Sequence, residues 1–144
     1  MFTIAAVTAT ATLFAQSRID ADLEGFNTVK VTGNIALTLV QGEAYTLNTT
    51  MDNDFVNQLS WTVKDSVLVL QLKNNVFPGR GKEKPVAAIT VTAPSITMID
   101  AGTNSTVRDS AVLSGDRIRI RAIDKANVVL ELRARDVSVH TGSG

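Results

Sequence analysis

The sequence has no cysteine, a single histidine, one tryptophan, one tyrosine and three prolines. The missing cysteine excludes disulfide staples and thiolate metal sites, although it names no compartment. With His140 the only histidine, a His-rich metal site is impossible, and a Ser-His-Asp triad would have to be built on that one residue. Charge of one sign is lacking as well. Fourteen basic and fourteen acidic residues cancel, so no overall field steers the chain towards nucleic acid or an anionic membrane. Aromatics are 5% of the chain, which is sparse for a sugar cleft built on stacking rings. No G-x-S-x-G elbow, H-E-x-x-H helix or phosphate-cradling Gly loop occurs.

What the chain does have is Thr and Val in quantity, punctuated by Gly, Asn and Asp. That is the composition of an all-β protein. Its 144 residues suit one domain able to bury about 70% of its unfolded surface. Residues 1–15, "MFTIAAVTATATLFA", are apolar, uncharged and too short to cross a bilayer. They read as a secretory signal peptide cleaved after Ala15. The competing reading is a buried first strand, since no Lys or Arg precedes the apolar run. On the signal reading, residues 16–144 form one exported domain, periplasmic, secreted or at the cell surface, and not transmembrane after the signal is removed.

Along that domain the hydrophobic period is two. In "TVKVTGNIALTLV", Val29, Val31, Ile35, Leu37 and Leu39 share one parity, as expected of a strand with one buried face. "QGE" then reads as a turn, with Tyr45 and Leu47 resuming the apolar parity to make a hairpin. "MDNDFVNQLSW" breaks the alternation, and Asp52 ahead of Phe55, Val56 and Leu59 predicts one or two helical turns. "SWTVKDSVLVLQLK" reads as a second hairpin turning at "KDS", with Trp61, Val63, Leu68, Leu70 and Leu72 inward. "NNVFPGRGKEKP" is an exposed loop. "VAAITVTAP" is a strand with Ile89 and Val91 inward, stopped by Pro94.

The last third repeats itself. A shift of 21 lays Ile99 on Ile120, Ala101 on Ala122, Ser105 on Ala126 and Val107 on Val128. A further shift of 19 lays Ile120 on Val139 and Ala122 on Thr141. Asn104 set on Asn127 would instead give 23. Each unit is an apolar strand, a small-residue corner and a second apolar strand. A strand-built repeat near 20 residues indicates coils that stack and share an interior, a β-solenoid. Small corner residues fit because stacked corners sit about 4.8 Å apart.

These stretches resemble, in order, the bacterial head GIN domain family of "putative auto-transporter adhesin" proteins, common in exported proteins of Bacteroidetes. The resemblance covers residues 24–144. It is carried by Gly33-Asn34-Ile35, Gln41-Gly42, Val91, Ala93 and Pro94, and more loosely by Ala101 to Val107. Ile123 and Asp124 depart from the Ser-Gly of the family's repeat. The resemblance implies an exported, right-handed parallel β-helix led by antiparallel hairpins, and it brings no catalytic motif. "VSVHTGSG" stops within a repeat, so a coil truncated at the C-terminus, with an open strand edge, is expected.

Few residues offer chemistry. Asp100 and Asp124, or Asp116 and Asp136, would be the carboxylate pairs of a polysaccharide-cleaving enzyme, if successive coils bring them together. The bland alternative is that they cap turns. Asp52, Asn53 and Asp54 offer oxygen ligands, but EF-hand spacing would need Gly and Glu where Asn57 and Val63 stand. Arg117, Arg119 and Arg121 alternate outward as a possible anion- or partner-binding stripe, with Arg133 and Arg135 on the next coil and Glu131, Asp124 and Asp136 near enough in sequence to neutralise much of it. The sequence therefore favours a non-catalytic, adhesin-like or envelope-associated module without metal or cofactor. Its partner would be an envelope component, a glycan or another protein, not nucleic acid. The alternative is a carbohydrate-active enzyme on a β-helix scaffold.

Overall fold

Period-two patterning becomes strand throughout the computed structural model, which describes residues 16–52, 58–72 and 87–142. In chain order the strands are β1 (Gln16–Asp22), β2 (Thr28–Thr32), β3 (Ile35–Gln41), β4 (Thr46–Asp52), β5 (Leu59–Lys64), β6 (Val67–Leu72), β7 (Ala87–Ala93), β8 (Met98–Gly102), β9 (Thr106–Asp109), β10 (Leu113–Ala122), β11 (Asn127–Val129) and β12 (Leu132–Thr141). They form two six-stranded sheets, β1-β4-β7-β3-β9-β11 and β12-β10-β8-β2-β6-β5, both mixed and neither closed into a barrel.

The parallel pairs define rungs. β2–β3, β8–β9 and β10–β11 each pass from the second sheet to the first, and β12 adds one more rung to the second sheet. β6 and β7 flank the β2–β3 rung on its other side. Antiparallel β4 and β1 finish the first sheet there, and β5 finishes the second. The β2–β3 rung thus lies in the middle of the stack, and later strands extend it on both sides.

The repeat registers come out as 21 and 19. Ile120 lies against Ile99 and Ala122 against Ala101, while Val128 lies against Val107. Ile120 also lies against Val139 and Ala122 against Thr141. The 23-residue alternative is not used. Corners explain why the shift holds. Thr103-Asn104 and Asp124-Lys125 both take positive φ at each residue, and Asn104 N–H donates to Asp124 O at 3.0 Å. Two successive left-handed residues turn the chain sharply enough for one corner to sit on the next.

Two expectations need correction. The alternating run at 28–41 is not one strand: Gly33, at φ 103°, turns a corner between β2 and β3, which lie in different sheets. Parity survives because both halves still point their apolar residues into the shared interior. Nor do β3 and β4 form a hairpin. β7 lies between them, parallel to β3 and antiparallel to β4. Local alternation cannot distinguish a turn into a neighbour from a turn that leaves room for a later strand. The second hairpin forms as read, with Trp61 opposite Leu70 and Val63 opposite Leu68. Asp65 and Ser66, both at positive φ, make its tight turn.

The interior lies between the sheets. Val29, Val31, Ile35, Leu37, Leu39, Leu68, Leu70, Val91, Ile99 and Val107 are wholly buried, each worth roughly 1.5–3 kcal/mol against the exposed chain. Leu130 is only half-buried because no rung covers it among the described residues. Asp52 closes β4 and Leu59 opens β5. The expected helical turns between them, the calcium candidates Asn53 and Asp54, the basic loop and residues 1–15 lie outside the described residues.

Candidate functional site

The three arginines singled out by sequence alternate outward along β10, and the structure gives them different circumstances. Register sets this. Parallel pairing places Asp100 beside Arg121, and Asp136 beside Arg117. Arg121 Nη1 lies 3.2 Å from Asp100 Oδ2 and 3.3 Å from Oδ1, and the Asp100 side chain is 15% exposed. Arg117 Nε reaches Asp136 Oδ2 at 3.4 Å, and both side chains are largely exposed. Glu131 takes no part in these pairs; its N–H donates to Asp109 Oδ2 at 2.8 Å. Arg119 has no ion pair among the described residues. It stands between Met98 and Ser138 on the neighbouring strands, facing solvent.

The carboxylate pairs expected of an enzyme do not form. Asp100 is mid-strand, whereas Asp124 sits in a corner. Asp116 and Asp136 are each held by the other coil's arginine, because Arg135 Nη1 reaches Asp116 Oδ1 at 3.4 Å. The order Asp116-Arg117 on one rung and Arg135-Asp136 on the next is reversed, so parallel stacking puts unlike charges side by side. His140 is exposed beside Arg121 on the outer face.

Arg117 and Arg119 form one wall of a groove of about 520 Å³. The opposite wall is the loop joining β7 to β8, which supplies Ser95 and Thr97, with Thr28, Met98, Gly115 and Asp116 completing it. Hydroxyls, one apolar thioether and two guanidinium groups therefore share a single concavity. The loop is pinned from several sides. Thr97 N–H and Met98 N–H donate to Asn27 O at 2.8 and 3.4 Å, and Arg119 N–H donates to Thr97 O at 2.8 Å. Gln41 Nε2 donates to Pro94 O at 3.0 Å and to Ser114 O at 2.9 Å, tying the two walls together. Gly42 N–H donates to Ala93 O at 3.0 Å. Gln41-Gly42 and Ala93-Pro94, two separate motifs in sequence, are thus one contact.

Sequence reasoning missed the groove, since its loop wall is ordinary in composition. Of the carboxylates it set near the arginines, Asp136 does pair with Arg117, whereas Glu131 and Asp124 pair with none of the three, and it passed over Asp100 and Asp116. The 21- and 19-residue shifts already placed Asp100 beside Arg121, and Asp136 beside Arg117.

The fold defines an all-β protein of stacked strands in two mixed sheets. The model of the family "Putative auto-transporter adhesin, head GIN domain" matches residues 25–144, and the chain belongs to that family. A comparison with curated proteins finds no match. Among solved structures, a putative adhesin from Parabacteroides merdae is 19% identical with a TM-score of 0.67, over 83% of this chain and 52% of that one. A putative adhesin from Bacteroides fragilis is 21% identical with a TM-score of 0.70, over 88% and 60%. A "Putative lipid binding protein" from Parabacteroides distasonis is 14% identical with a TM-score of 0.58, over 86% and 59%. These likenesses establish a shared fold, and this chain spans little more than half the length of each of the three.

Proposed function

We propose that the chain is a non-catalytic, exported module of adhesin type that binds an anionic partner on the outer face of its second sheet. Residues 1–15 serve as its signal peptide, and the rungs wind as a right-handed β-helix. The observation that carries the binding site is Arg119. Among the described residues it is the one of the three arginines without an ion pair, and it lines a groove, whereas Arg117 and Arg121 are engaged by aspartates. A guanidinium so placed beside hydroxyls suits a carboxylate or sulfate on a glycan or envelope component. Membership of an adhesin family supports a binding role over catalysis. So does the pairing of Asp100, Asp116 and Asp136, three of the four candidate carboxylates, with arginines.

Binding of the purified chain to acidic and neutral glycans tests this. Acidic glycans should bind, added salt should weaken them, and Arg119→Ser should abolish the contact without loss of folding. Equal binding by wild type and Arg119→Ser, or none by wild type at low salt, would sink the assignment. Export is tested separately: expression of the gene should give mature protein beginning at Gln16 outside the cytoplasm.

A further inference from the structure

The groove beside Arg119 has a polarity of its own, set by where its hydroxyl protons go. Thr97 Oγ1 donates to Asn27 O at 3.3 Å, and Thr28 Oγ1 donates to Asn27 Oδ1 at 3.0 Å. A hydroxyl carries one proton and two lone pairs. With both protons turned into the protein, Thr28 and Thr97 offer the groove acceptors only. Asp116, which also lines it, adds a carboxylate. Arg119, without an ion pair among the described residues, supplies donors alone.

Register fixes how far apart these groups stand. Thr28 pairs with Met98, and Met98 with Arg119, on three neighbouring parallel strands. Each is followed by a buried residue, Val29, Ile99 and Ile120, so all three side chains face outward. At about 4.8 Å per strand, the backbones of Thr28 and Arg119 stand roughly 10 Å apart with Met98 between them. Thr97 precedes Met98 on the same wall. The row therefore asks for a ligand with an anion at one end, donors at the other and a thin apolar body between.

We propose that the groove takes one sugar carboxylate of a glycan, a uronic or sialic acid residue lying across Met98. This rests on the reading of the groove as the binding site and narrows its ligand. The carboxylate meets Arg119, the sugar's hydroxyl or amide protons are donated to Thr28 and Thr97, and the C–H face of the ring rests on the thioether. A carboxylate has two oxygens, and the planar guanidinium fork takes both. A sulfate ester has a third, which here would face Asp116 and the threonine oxygens. Acceptor set against acceptor rejects that ligand.

An array of uronic- and sialic-acid oligosaccharides, each beside its carboxyl-reduced and its sulfated counterpart, tests this with the whole chain. Carboxylated members should bind, and both kinds of counterpart should be weaker by about tenfold or more. Thr28→Val and Thr97→Val keep the branched shape, and circular dichroism should show an unchanged fold. Each should weaken binding about tenfold while its salt dependence stays that of wild type. Arg119→Ser should lose binding and salt dependence together. Preference for sulfated members overturns the proposal. So does wild-type binding by both threonine variants, and in either case a loss with Arg119→Ser would leave the anion site itself standing. No binding of any acidic member would remove site and ligand alike.

Discussion

Gln41 bonds Ser114 in both directions: its Nε2 donates to Ser114 O at 2.9 Å, and Ser114 N–H donates to its Oε1 at 2.9 Å. A side-chain amide here does the work of one more peptide group, continuing the pairing where β3 ends. Nε2 also donates to Pro94 O. Only an amide satisfies all three contacts. Gln41→Met should cost about 1–3 kcal/mol, the usual range for losing several partly exposed hydrogen bonds. Gln41→Glu, almost the same shape, should be at least as damaging, since it sets an acceptor against two carbonyl oxygens. Urea unfolding of the three proteins checks this, and a wild-type midpoint for Gln41→Glu would show the clamp to be unimportant.

Two glycines should respond differently to the same rescue. A Cβ at Gly42 would come within 2.9 Å of Thr92 Cγ2, with no backbone strain. A Cβ at Gly33 would meet Leu72 Cβ at 3.3 Å in a backbone at φ 103°, which L side chains avoid. Both Gly→Ala changes should destabilise, by about 1–3 kcal/mol at Gly33. Thr92→Ser, which removes the clashing methyl, should recover much of the loss at Gly42 and none at Gly33. A double-mutant cycle by thermal melting gives the coupling directly.

These positions show what the sequence could and could not reveal. Parity was legible because burial on one face is a local property: Val29 to Leu39 keep it even across the Gly33 corner. The stacking of Ile99, Ile120 and Val139 was legible because a repeat carries its own register. Strand neighbours outside the repeat were not. That β7 separates β3 from β4 depends on a strand about forty residues later, and no local pattern announces it. The groove was hidden for a related reason. Its walls meet through Gln41 and Pro94, 53 positions apart.

The arginines should separate in stability as they do in surroundings. Arg121→Ser leaves Asp100, mostly buried, without its partner. Since the arginine is 43% exposed, screening limits the loss to about 1 kcal/mol. Arg119→Ser removes no ion pair and should fall within about 0.5 kcal/mol of wild type. Equal melting temperatures for Arg121→Ser and wild type would mean that Lys30, on the other side of Asp100, holds the carboxylate well enough alone.

The final prediction contrasts two aliphatic residues of the last rungs. Ile118 is 1% exposed and enclosed between strands. Ile118→Ala should therefore lose both the transfer energy of its methyl groups and the cost of an empty cavity, about 2–5 kcal/mol in total. Leu130 is half-buried and lines a cleft that already opens to solvent. Leu130→Ala widens that cleft without enclosing a void, so it should cost only the transfer part, about 1–2 kcal/mol. Urea denaturation of the two variants beside wild type reads both penalties. A Leu130→Ala penalty as large as that of Ile118→Ala would mean that Leu130 is packed as tightly as the residues between the sheets.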